Sequence, residues 1–314
     1  MTQSLAFVFP GQGSQAVGML SELADRYAVV RTTFEEASQI LGYDLWQLAQ
    51  EGPAETLNQT DKTQPAILTA SVAIWRVWQE LEGPRPAMVS GHSLGEYSAL
   101  VCAGAMNFSD AINLVKLRGE FMQDAVPEGT GAMTAILSLS DDKVEEACLL
   151  AAEGDVVAPV NYNCPGQVVI AGSKAAVERA GVKCQELGAK RVVPLPVSVP
   201  SHCALMKPAA DRLAIELEKI VIEEPRIPVV QNVNGLPTSD VDTIRANLLA
   251  QLYSPVRWVS CVEYMIAQGV DTTVECGPGK VLAGLNKKIQ RSLKVLAVND
   301  PESLTSTIEL VKGA

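Results

Sequence analysis

The chain has 314 residues, 47% of them hydrophobic and 19% charged, with a formal net charge of −11. Such a composition excludes a disordered chain and fits a large buried core, either two domain-sized units or one domain with an insertion. The acidic balance argues against nucleic acid as a partner, because nothing in bulk would neutralise phosphates.

The apolar run Leu5–Phe9 is too short for a secretory segment and no basic stretch precedes it. No stretch is long and apolar enough to span a membrane. A cytoplasmic protein, active as a monomer, is expected. The seven cysteines (Cys102, Cys148, Cys164, Cys184, Cys203, Cys261 and Cys276) are odd in number and include no Cys-x-x-Cys pair. That argues against a disulfide framework or a zinc site and predicts buried free thiols, with no metal and no cofactor.

Leu5–Phe9 reads as a central parallel strand, apolar on both faces. It runs into a glycine-rich turn, Pro10-Gly11-Gln12-Gly13-Ser14-Gln15, whose spacing matches neither common phosphate-binding pattern. A helix is predicted over Pro65–Leu81 and a second strand over Ala87–Ser90. The strand meets Gly91-His92-Ser93-Leu94-Gly95, followed by a helix over Glu96–Ala103 closed near Gly104.

A strand, G-x-S-x-G and a helix in succession form the setting in which serine is thrust out as a nucleophile. The competing reading is a structural turn. A serine hydroxyl needs a base, and the chain holds only His92 and His202. His92, adjacent to Ser93, points away at so sharp a turn, which leaves His202; His92 lines the pocket or is structural. Two preset N–H donors are needed for the oxyanion. The amide of Leu94 is one, and that of Gln12, flanked by glycines, is the best candidate for the other.

The helix predicted over Asp110–Ala125 carries an anomaly. Arg118 sits in the apolar stripe formed by Ala111, Leu114, Val115, Phe121, Met122 and Ala125, with Asp110 only at its margin. A guanidinium facing a core must meet an anion. Two readings stand: an ion pair with another segment, or a carboxylate on the substrate.

From Thr134 to Val197 the order is strand, helix, strand, strand, helix, strand, the pattern of a small ferredoxin-like unit. We read 131–197 as an α+β subdomain inserted into an α/β domain of mostly parallel sheet made by 1–130 and 198–314. Past it come Pro200-Ser201-His202-Cys203 and a helix over Ala204–Lys219. The stretch from Lys280 through Lys287, Lys288 and Arg291 to Lys294 lacks any Asp or Glu. It is either a solvated helix face or a docking surface for an acidic partner.

Seven segments in this order resemble malonyl-CoA:acyl carrier protein transacylases of bacterial fatty acid synthesis and the acyltransferase domains of polyketide synthases. They are Phe9–Gln15, Thr63–Ala66, Gly91–Glu96, Arg118-Gly119, Asn161–Asn163, Pro200–His202 and Glu275–Gly279. The resemblance implies a hydrolase-like α/β core with a ferredoxin-like insertion, Ser93 as acyl carrier, His202 as base and Arg118 as clamp for the malonyl carboxylate. It also implies an oxyanion hole from the amides of Gln12 and Leu94. The main-chain carbonyl of Gln251, rather than an aspartate, would orient His202, and Gln64, Asn163 and Gln167 would lie near the substrate. Expected partners are a CoA thioester and an acidic acyl carrier protein, docked near Lys280, Lys287, Lys288 and Arg291. A serine thioesterase and a non-catalytic carrier-binding module are the competing readings.

Overall fold

The computed structural model describes residues 4–197 and 199–313. Its strands are Leu5–Phe9 (β1), Met88–Gly91 (β2), Gly131–Leu137 (β3), Val157–Cys164 (β4), Gln167–Ser173 (β5), Arg191–Pro194 (β6), Val229–Val230 (β7), Thr272–Cys276 (β8) and Lys294–Val298 (β9). All five side chains of β1 are buried, as its continuous apolar sequence demands. It lies between β2 and β8 in a five-stranded sheet of order β7-β2-β1-β8-β9, parallel throughout. In such a sheet ligands gather at the carboxyl ends of the strands, where the strand order reverses. Here the chain leaves β1 toward β2 on one side and later returns to β8 on the other.

The second sheet is antiparallel, in the order β4-β5-β3-β6. Helices Asp141–Ala151 and Lys174–Glu186 bury Val144, Ala147, Val177 and Ala180 against it. This is the strand order of the ferredoxin-like arrangement. It is bonded to the larger sheet's surroundings through β4: Tyr162 N–H donates to Val256 O at 3.0 Å and Val256 N–H to Val160 O at 2.8 Å. Those bonds set β4 beside the segment that follows helix Val241–Tyr253.

The large core is packed around aromatic edges. Phe7 meets Trp75 and Trp78 edge to face, with ring centroids 5.4 and 4.8 Å apart, contacts worth about 0.5–1.5 kcal/mol each beyond area burial. All seven cysteines are free and buried. None of the described helices is long and apolar enough to cross a membrane.

Two elements depart from expectation. The helix predicted from Pro65 begins at Thr60 and runs to Glu80. Pro65 forfeits one backbone hydrogen bond there, and tertiary packing holds the added turn. Helix Phe108–Asp124 presses on it so closely that a Cβ on Gly119 would lie 2.7 Å from Asp61 Cα. The helix predicted over Ala204–Lys219 is a 3-10 turn, Ala204–Met206, leading into an α-helix, Lys207–Leu217, with proline at its start. Proline fits that first turn, where its missing N–H costs nothing.

Gly119→Ala should therefore push two helices apart and lower stability by about 1–3 kcal/mol, the cost of overpacking. Urea denaturation reads this directly; an unchanged midpoint would mean the two backbones have room to spare.

Candidate active site

The pentapeptide after β2 turns as tightly as two glycines allow. A Cβ on Gly91 would sit 1.9 Å from Gly95 C, and one on Gly95 would sit 2.0 Å from Phe9 O. Between them Ser93 is held at φ +52°, a left-handed conformation that non-glycine residues keep only where the surroundings enforce it. Asn232, just past β7, does the enforcing. Its Oδ1 accepts from Ser93 N–H at 2.7 Å, and its Nδ2 donates to Gly91 O at 2.7 Å.

His202 is also left-handed, at φ +66°. Its N–H donates to Leu252 O at 2.9 Å, tying the loop to helix Val241–Tyr253. The ring bridges two groups: Nε2 lies 2.8 Å from Ser93 Oγ, and Nδ1 lies 2.6 Å from Gln251 O. A carbonyl only accepts, so Nδ1 carries the proton and Nε2 is left to accept from the Ser93 hydroxyl. Burial, and then the nearby Arg118 charge, lower the imidazole pKa to about 3. The ring is neutral at physiological pH.

The residues expected to supply the two oxyanion donors line the same cavity. Among the described residues neither the Leu94 N–H nor the Gln12 N–H finds an acceptor, and both residues line one cavity with Ser93 and His202. Gly11 makes this approach possible: a Cβ there would stand 2.5 Å from His92 O. The cavity has a volume of about 530 Å³.

Arg118 reaches this cavity from helix Phe108–Asp124 and is 1% exposed. Its Nη1 donates to Gln64 Oε1 at 2.8 Å; its Nη2 donates to Gln251 Oε1 at 3.1 Å and to Ser93 Oγ at 3.3 Å. Nε has no acceptor, and the Tyr97 ring lies 5.4 Å from the guanidinium carbon. Among the described residues no carboxylate, Asp110 included, comes within ion-pair distance of it. A buried cation with a free donor, beside a serine hydroxyl, can receive an anion.

Ser93, His202, Arg118, Gln12, Leu94, Gln64 and Gln251 are thus drawn together. His92 lines the cavity, its Nε2 2.9 Å from Asn163 Oδ1, so Asn163 meets the cavity only through that ring. Gln167 stands apart. It opens β5 at the hairpin, where its Oε1 is 3.7 Å from Cys164 Sγ, and it does not line the cavity. The tight β4–β5 turn carries it away from the serine.

Three residues escape the sequence reading: Asn232, Gln231 and Glu96. Glu96 is fully buried below the elbow, and its carboxylate accepts from Asn232 N–H at 2.9 Å, Gln251 Nε2 at 3.0 Å and Gln231 Nε2 at 3.4 Å. A charged residue in the first turn of a helix that is otherwise nearly all apolar was the available signal.

Burial raises the Glu96 pKa from its ordinary 4.5 to about 7, so the two buried titrations pull stability in opposite directions. The His202 contribution, with a folded pKa below the unfolded one, is present above pH 6.5 and lost as pH falls toward 3. That of Glu96 is present below pH 4.5 and lost as pH rises through 7. His202→Gln leaves Glu96 unopposed. Between pH 7 and about pH 5 the variant should gain about 2 kcal/mol relative to the unsubstituted protein, read by urea denaturation at both values. Equal changes in the two proteins would place the imidazole in solvent.

The acyl transferase domain family matches residues 6–307. The malonyl CoA-acyl carrier protein transacylase of Escherichia coli strain K12 is 62% identical over 310 residues, covering 99% of this chain and 100% of that protein. That of Bacillus subtilis strain 168 is 46% identical over 309 residues, covering 98% and 97%. Among solved structures, an acyl carrier protein S-malonyltransferase from Vibrio cholerae superposes with a TM-score of 0.96 at 63% identity, covering 97% of this chain and 100% of that one. A malonyl-transacylase in complex with a type II PKS acyl-carrier protein gives 0.97 at 58% identity, covering 98% and 100%. With the full length matched at such identity, the chain belongs to the acyl transferase family, among the malonyl CoA-acyl carrier protein transacylases.

Proposed function

We propose that this acyltransferase moves a malonyl group from malonyl-CoA to the pantetheine thiol of acyl carrier protein in fatty acid synthesis, in two steps through a Ser93 ester. One observation carries the reading: a single hydroxyl stands 2.8 Å from an accepting imidazole nitrogen and 3.3 Å from a buried arginine that has no carboxylate partner among the described residues. The first contact supplies a nucleophile. The second supplies selection for an acyl group that ends in a carboxylate.

Ser93 Oγ attacks the thioester carbonyl while His202 Nε2 takes its proton. The amides of Leu94 and Gln12 receive the oxyanion, the carbon–sulfur bond breaks, and CoA leaves with the proton from His202. The carrier thiol then repeats the sequence in reverse, with His202 as its base. While the malonyl carboxylate is bound, it offsets the Arg118 charge that depresses the imidazole, so recognising the correct acyl group also makes the base stronger. No cofactor enters these steps. A thioesterase would want an acid behind the histidine; here the partner is the Gln251 carbonyl.

For the carrier, the exposed Lys280, Lys287, Lys288 and Arg291 form the docking face, acting on a single copy of the chain in the cytoplasm. Among the described residues none of the four lies within ion-pair distance of a carboxylate. Gly279, next to Lys280, packs beside Ser14 of the turn that bears Gln12, so this face borders the oxyanion loop. The relative solved with an acyl-carrier protein supports such a partner.

Intact-mass measurement after mixing with malonyl-CoA should show one added malonyl group, lost again when carrier protein is supplied. Ser93→Ala should show none; labelling that survives would remove the nucleophile. Arg118→Ala should lower kcat/KM for malonyl-CoA by about 1.5–3 kcal/mol, roughly tenfold to a hundredfold, while acetyl transfer gains in relative terms. An equal loss for both acyl groups would make Arg118 a structural residue.

A further inference from the structure

We propose that Glu96 is the positioning residue of this site: through Gln251 and Asn232 its carboxylate holds Ser93, His202 and Arg118 in one arrangement, and it balances the guanidinium without pairing with it. The inference rests on the acyl-enzyme reading above and concerns how that machinery is kept in register.

Every contact made by the carboxylate is with a donor. Asn232 N–H and Gln251 Nε2 reach Oε2 at 2.9 and 3.0 Å, and Gln231 Nε2 reaches Oε1 at 3.4 Å. Such a pocket suits an ionised group, because a protonated one would turn a donor toward donors. Two of the residues held this way, Asn232 and Gln251, then act on the reacting groups. Asn232 fixes the Ser93 amide. Gln251 works at both ends: its main-chain carbonyl orients His202 Nδ1, and its side-chain Oε1 accepts from Arg118 Nη2 while its Nε2 donates to Ser93 O at 3.1 Å as well as to Glu96.

One carboxamide therefore stands between a buried cation and a buried anion. Arg118 is neutralised at a distance, and its Nε stays without an acceptor. Had Glu96 met the guanidinium directly, the fork would be occupied and closed to a substrate carboxylate. A helix tied to β7 for stability alone would not need its anchor to reach both the base and the clamp.

The ionised state is what carries the arrangement, so the groups facing Glu96 decide where it changes. Burial raises its pKa to about 7, while the three N–H donors and Arg118 pull the other way. Cys261, from helix Trp258–Ala267, has a thiol pushed up to about 12, and the neighbouring Tyr97 a phenol pushed up to about 12, so both stay neutral. The elements bearing Gln231, Asn232 and Gln251 present only amides. His202, lowered to about 3, does not titrate in the same range. Protonation of Glu96 should thus disorder Gln251 and Asn232 near neutrality and weaken acylation on the acid side.

The test uses malonyl-pantetheine, which lacks the phosphates of CoA that titrate in this range. The unsubstituted protein should lose kcat/KM below an apparent pKa near 7. That value should barely move with temperature, as for a carboxyl and unlike an imidazole. Glu96→Gln should abolish this acid limb and lower kcat on the order of tenfold to a hundredfold, the scale of a small misplacement of reacting groups. KM should not rise, since Arg118 keeps its charge, and Glu96→Asp should restore the limb.

An acid limb unchanged in Glu96→Gln, or one moving with temperature as an imidazole's does, would overturn the proposal. So would a rise in KM with kcat unaltered. If Glu96→Gln does not fold, the temperature dependence in the unsubstituted protein still decides. Failure of the acylation reading itself is separate: it would appear as no Ser93 ester in the unsubstituted protein at any pH.

Discussion

Between Gly91 and Gly95 there is no space for a side chain: an added Cβ at the first would overlap the carbonyl of the second at 1.9 Å. That contact forces β2 to turn into its helix within a few residues and leaves Ser93 in a left-handed conformation. Everything else in the site is arranged around the hydroxyl that results. The same close approach extends outward. Gly95 packs against Phe9 O and Gly11 against His92 O, so the ends of β1 and β2 are locked together through backbone contacts. Gln12 and Leu94, which follow these close approaches, both line one cavity with Ser93.

Arg118 shows how far charge burial can be managed without an ion pair. A guanidinium in a core is costly unless its donors are satisfied. Here two glutamine oxygens and a serine hydroxyl do most of that work. Glu96 offers compensating charge one amide further away. A direct partner would stabilise the protein more and serve the chemistry less. On the proposed function, the buried polar cluster is a binding site waiting for its anion rather than a structural network.

The sequence carried much of this, and unevenly. β1 was legible because a five-residue apolar run has few other uses. The elbow was legible because two glycines in fixed spacing bracket a serine between a strand and a helix. Arg118 announced itself by facing the wrong way on an amphipathic helix. Asn232 gave no such sign, since its role exists only across separations of 139 and 136 residues, and nothing local requires an amide after a two-residue strand. Glu96 stood out as a charge in an apolar first turn, but its partners did not. Gln167 failed for the converse reason. It opens β5 at a tight hairpin, which turns it away from the cavity. The helix that starts at Thr60 rather than Pro65 makes the same point about propensity: a proline marks a favoured start, and packing against Gly119 overrides it.

The choice of a carbonyl behind His202 bears on what the enzyme must avoid. A transferase holds an ester that water could hydrolyse before the carrier arrives. A carboxylate at Nδ1 would make the imidazole a stronger base toward any O–H that entered. A neutral carbonyl at 2.6 Å fixes the tautomer without adding that charge, and burial lowers basicity further. Such a base is poorly suited to activating water. It is adequate for a thiol, whose proton is far more acidic, and for a serine already hydrogen-bonded to it. On the proposed mechanism, the buried setting of the histidine helps keep transfer ahead of hydrolysis.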